Sequence, residues 1–96
     1  MVAKIRRLVL DVVVPNVSDV IELTQELAGI QYVVGVNVMV SEIDESVKTL
    51  KLILEGLSLD IKSITKVVED HGGSIHSVDS IAAGKEIIED VETPQD

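Results

Sequence analysis

One spacing that occurs twice constrains this chain more than any other feature. The run LVLDVVV opens at Leu8, and Ser18, a residue suited to start a helix, follows it. The run LKLILE opens at Leu50, and Asp60 follows it at the same distance. In the first run Leu8, Leu10, Val12 and Val14 share one face, while Arg7, Val9, Asp11 and Val13 share the other. That period of two belongs to a half-buried strand, which Pro15-Asn16 closes. Ser18 is the expected N-cap, because its hydroxyl can accept a free amide of the first turn. Val20, Ile21, Leu23, Leu27 and Ala28 then form a helical stripe that stops at Gly29. The second copy repeats the plan. Leu50, Leu52 and Leu54 oppose Lys51, Ile53 and Glu55, Gly56 releases the strand, and Ile61, Ile64, Val67 and Val68 give the helix stripe.

Between the copies, YVVGVNVMVSEI alternates again, with Val36, Val38 and Val40 on the inner face and Asn37, Met39 and Ser41 on the outer. The short polar turn Asp44-Glu45-Ser46 sends the next strand back antiparallel. Gly72-Gly73 is the expected end of the second helix, since glycine takes left-handed backbone at little cost. A fourth strand begins at Ser74. The order is βαββαβ. Two interleaved right-handed βαβ halves predict an α+β, ferredoxin-like sandwich. Its sheet is four-stranded and antiparallel, in the order 4-1-3-2, with both helices on one face. Residues 1–84 make this domain. Residues 85–96 form an acidic extension expected to be extended, available as an extra strand for a neighbouring subunit.

Composition removes several functions of that architecture. The chain has 17 acidic and 8 basic residues among 96, a net charge of −9, with no Phe, Trp or Cys and a single Tyr. Phosphate backbones need clustered Lys and Arg, and RNA-binding sheets of this fold stack bases on aromatic side chains, so nucleic acid is an unfavourable partner. Anionic membrane surfaces are disfavoured for the same electrostatic reason. Without cysteine there is no thiolate for heavy-metal carriage or an iron–sulfur cluster. No run approaches the roughly 20 apolar residues of a membrane span. Asp11 also interrupts the apolar stretch after the basic N-terminus, so a signal peptide is not expected. A cytoplasmic protein is the expectation. The turn Pro15-Asn16-Val17-Ser18 lacks the glycines of a phosphate-binding loop.

Three groups of residues invite chemistry. Asp11 and His76 fall on neighbouring strands of the helix-free face. They predict either an ion pair or, with Asp79 or Glu55, a cation site. Glu42, Asp44 and Glu45 cluster at the second hairpin, as calcium ligands or as a solvated turn; the spacing lacks the EF-hand glycine and terminal glutamate. Any resident cation is expected to be hard, calcium or magnesium, because oxygen ligands dominate. The run GGSIHSVD holds Ser, His and Asp, but His76 and Ser77 face opposite ways along a strand, which excludes a local triad. His71, in the last turn of the second helix, is expected to meet the negative helix end. The helix-free face mixes valine, isoleucine and methionine with charges, a composition suited to a subunit contact.

LVLDVVVP, GVNVMVSEID, LEG followed by LD, GGSIHSVD, AAGKE and the terminal TPQD together resemble the archaeal domain-of-unknown-function family 211, from Leu8 to the last residue. The resemblance implies a ferredoxin-like subunit that assembles into rings of six or seven, with no established activity. Where that family closes its first strand with Lys-Pro, this chain has Val14-Pro15. The expected function is a non-enzymatic, ring-forming binding or regulatory module. Sensor domains of this fold bind small ligands at the first strand–helix turn, here Pro15, Asn16, Val17 and Ser18. A divalent-cation protein using Asp11, His76 and Asp79, or a purely structural subunit, are the alternatives.

Overall fold

A computed structural model of the chain describes residues 1–89. Its elements run β1 (Ile5–Pro15), α1 (Val20–Ala28), β2 (Val33–Ile43), β3 (Val47–Gly56), α2 (Ile61–Asp70) and β4 (Ser74–Ala83). The strands form one antiparallel sheet in the order β2-β3-β1-β4, the ferredoxin-like arrangement that the repeated spacing predicts.

The leucine and valine rows form the core. Leu8, Leu10, Val12 and Val14 of β1 and Leu50, Leu52 and Leu54 of β3 are buried against Leu23 and Leu27 of α1 and Ile64 and Val68 of α2. Leu59, before α2, completes the cluster, and no polar side chain is buried with it among the described residues. An aliphatic core of this kind is held by area removed from water and by close packing, about 25 cal/mol per Å² of apolar surface.

The helix ends differ from expectation at the start of α1 and, by one residue, at the end of α2. Asp19, not Ser18, is the N-cap of α1, and its carboxylate accepts from the Glu22 amide at 3.0 Å. Ser18 instead donates its hydroxyl to the His71 carbonyl at 2.6 Å, tying the start of α1 to the end of α2. The capping chemistry was available from either residue, and the carbonyl exposed at the end of α2 drew the serine away. Asp60 caps α2 as expected. At the far end of α2, His71 is the C-cap and Gly72 follows with φ +79°. The Gly72 and Gly73 amides close back on the Glu69 and Val68 carbonyls at 2.9 and 3.0 Å. This paired closure satisfies carbonyls that a helix end leaves free. Gly73 has a second reason to be glycine, because a Cβ there would lie 2.7 Å from the Val13 carbonyl oxygen.

Residues 85–89 add no strand. Arg6 donates to the Lys85 carbonyl at 3.0 Å, and Arg7 pairs with Glu89 at 3.3 Å. The rest of the expected extra strand lies outside the described residues.

Candidate functional site

The helix-free face is organised by two irregularities in the β1–β4 pairing. Asp11 stands opposite Ser77, and Val12 opposite Ile75, so His76 is the additional residue of a bulge. A second shift, between Val9 and Leu10, makes Asp79 additional in the same way. A bulge re-aims the side chains beside it. Strict alternation therefore misplaced one partner: Asp11 meets Ser77, and His76 makes no side-chain hydrogen bond or ion pair among the described residues.

What assembles instead is a small charged network across three strands. Lys51 of β3, directly opposite Asp11 in register, sits 3.2 Å from Asp79 Oδ2 and 3.6 Å from Asp11 Oδ1. Ser77 Oγ lies 2.8 Å from Asp79 Oδ1 and 3.4 Å from Asp11 Oδ2; its single proton is best placed on Asp79. Hydrogen bonding to Asp79, then the Asp11 charge, raises the Lys51 pKa above its ordinary 10.5. The Ser77 hydroxyl first, and Lys51 second, hold Asp79 below its ordinary 3.8. The ammonium supplies between these carboxylates the positive charge that a metal ion would otherwise bring.

At the β1–α1 turn, the four residues singled out in the sequence are largely engaged by their own chain. The Asn16 amide donates to Ser46 O at 2.9 Å, and its side-chain Nδ2 donates to Asp44 O at 2.6 Å. The turn is thereby bolted to the β2–β3 hairpin. Ser18 is committed to His71, and Val17 projects into solvent. Asn16 Oδ1 is secluded and has no partner among the described residues. A recess of about 320 Å³ opens at the opposite end of β1, lined by Val2, Lys4, Arg6, Leu57 and Lys85.

The three hairpin acids separate by role. Asp44 Oδ1 accepts from the Ser46 amide at 3.1 Å and closes the turn, whereas Glu42 lies opposite Thr49 on β2 and Glu45 is exposed. The described residues do bring together one set of three ligating side chains, at another place: Glu22 and Glu26 of α1 with His71 at the end of α2, their ligating atoms all within 4.8 Å. His71 Nε2 lies 2.5 Å from Glu26 Oε2, with its side chain only 11% exposed. The sequence held a signal for this set in two glutamates one helical turn apart, on the helix that follows β1.

Fold and surface define a class: a two-layer, ferredoxin-like α+β domain with a dry aliphatic core and a charged open sheet face. The family described as DUF211, uncharacterized ArCR, matches residues 6–96. The uncharacterized protein MJ0319 of Methanocaldococcus jannaschii is 42% identical over 92 residues, spanning 96% of this chain and 95% of that protein. The chain belongs to the DUF211 family.

Proposed function

We propose that this chain is a non-enzymatic subunit of a closed homo-oligomeric ring that serves as a binding or regulatory module. The observation that carries the proposal is the pair of sheet edges. β2 and β4 are 11 and 10 residues long, lie at opposite ends of the sheet, and each has one side without a strand neighbour among the described residues. Val34, Val40 and Ile43 on β2 and Val78 and Ile81 on β4 are exposed. Long edges with apolar side chains are templates for further pairing, and soluble proteins cover or blunt them. A two-fold contact through one edge would leave the other open. A head-to-tail contact of β4 on the β2 of the next copy uses both, and a rotation that closes makes a ring. The two edge strands run in opposite directions, so copies in the same orientation extend the antiparallel order across each junction. Pro15–Ser18, with Asn16 Oδ1 unpartnered among the described residues, is the ligand-binding region of this reading.

Light scattering on the full chain at micromolar concentration tests the assembly. The expected mass is that of six or seven subunits, and Val34→Lys or Ile81→Lys is expected to reduce it to one while circular dichroism stays unchanged. A wild-type monomer, or a ring indifferent to both charges, would overturn it.

A further inference from the structure

We propose that Glu22, Glu26 and His71 form a binding site for a first-row divalent transition metal of the zinc type. Its ligands come from α1 and the end of α2, not from the edge strands. It is also chemically distinct from the all-carboxylate hairpin group Glu42, Asp44 and Glu45, because one ligand is an imidazole.

The ligands come from two elements. Glu22 and Glu26 stand one turn apart on α1, so their side chains lie on the same face. His71 is carried by the C-cap of α2, where Ser18 holds its carbonyl and the Gly72-Gly73 closure fixes the chain direction. Like charges at this helical spacing destabilise a helix unless something compensates them. Among the described residues, the ion pair that these two carboxylates make is that of Glu26 with His71. A divalent ion would neutralise both carboxylates at once.

The dimensions suit such an ion after a small adjustment. Zinc–nitrogen and zinc–oxygen bonds are about 2.0–2.2 Å, so neighbouring ligands on a tetrahedral ion stand roughly 3.3 Å apart. The present His71–Glu26 separation of 2.5 Å has to open, and the widest separation, within 4.8 Å, has to close. Exposed Glu26 can open the first separation and exposed Glu22 can close the second by changing rotamers, while the mostly buried imidazole stays fixed. Nε2 gives up any proton it shares with Glu26 when it becomes a ligand. One imidazole and two carboxylates match the mixed nitrogen–oxygen sets that zinc-type ions take, whereas calcium prefers six to eight oxygens. Three protein ligands leave a position for water or for an anionic group of a further ligand.

The test uses the chelator-treated full chain, titrated with Zn²⁺ and, for its visible absorption, with Co²⁺; Ca²⁺ is the comparison. Zn²⁺ is expected to raise the melting temperature, as a ligand of the native state does. His71→Ala and Glu22→Gln are each expected to weaken Zn²⁺ at least tenfold, and His76→Ala to leave it unchanged. Glu22 is exposed, so Glu22→Gln separates loss of a ligand from loss of fold. Unchanged Zn²⁺ affinity in Glu22→Gln, an equal response to Ca²⁺, or loss of binding in His76→Ala would overturn the site.

Discussion

The two faces of the sheet are made by the same strands and obey opposite rules. On β3, Leu50, Leu52 and Leu54 are fully buried beneath the helices, while Lys51 between them joins Asp11, Asp79 and Ser77 in the open network. On the helix face each position is decided by volume, and hydrophobicity with the right period is enough to place it. On the open face, position is decided by local register and hydrogen-bond geometry. One face is redundant and the other is particular.

Adjacent substitutions on β3 probe that contrast most sharply. Leu52→Ala is expected to cost about 2–5 kcal/mol, since the enclosed site collapses only partly around the lost volume. Against a total stability of roughly 5–15 kcal/mol, this is the largest single effect expected. Lys51→Met, one residue away, is expected to cost only a small fraction of it. Urea unfolding of both variants measures the difference, and comparable losses would erase the distinction between the faces.

Gly73→Ala tests the boundary where β4 leaves α2. The added Cβ would meet the Val13 carbonyl oxygen and Val14 Cγ1, both at 2.7 Å, so backbone has to shift. Overpacking of this kind costs about 1–3 kcal/mol. A melting temperature at or above wild type would show that the strand crossing has slack.

Ser18→Ala is expected to lose about 0.5–1.5 kcal/mol, the net worth of one hydrogen bond, here the one to the His71 carbonyl. It also separates capping from tethering. Asp19 still caps α1 in the variant, so amide exchange is expected to speed up around His71 rather than at the first turn of α1.

These cases show what a sequence makes legible. The βαββαβ order, the strand order and the buried rows follow from periodicity, because burial repeats along an element and errors at one position are outvoted by the rest. The partner of Asp11 does not follow, because it depends on two unmatched residues in β4, and Ser74–Ala83 carries no glycine or proline to mark either bulge. Ser18 and Asp19 are both competent caps, and the choice between them was made by a carbonyl 53 residues away. The Glu22–Glu26–His71 set needs the end of α2 to reach the side of α1, a tertiary fact. His71 and His76 look alike in GGSIHSVD and its neighbour, yet one meets a carboxylate and the other occupies a bulge.

The smallest effect is electrostatic, and it discriminates by its pH profile. Asp79 is lowered by Ser77 and Lys51, so its contribution is present above its ordinary value of 3.8 and is lost as pH falls through the lowered folded value. Lys51 is raised by Asp79 and Asp11, so its contribution is complete below 10.5 and is lost as pH rises through the raised folded value. The difference in stability between wild type and Lys51→Met is therefore expected to be flat across the neutral range. It should narrow as pH falls below 3.8 through the lowered folded value of Asp79, where that carboxylate gains its proton and no longer holds the Lys51 charge. It should narrow again above pH 10.5, where Lys51 loses its charge and the wild type comes to resemble the variant. Added salt should shrink the plateau, because exposed charges are screened. Urea midpoints for both proteins over the full pH range give the curve. A difference that persists unchanged into acid would mean that the Lys51 stem packs on the sheet, and that the open face, like the covered one, is held by contact rather than charge.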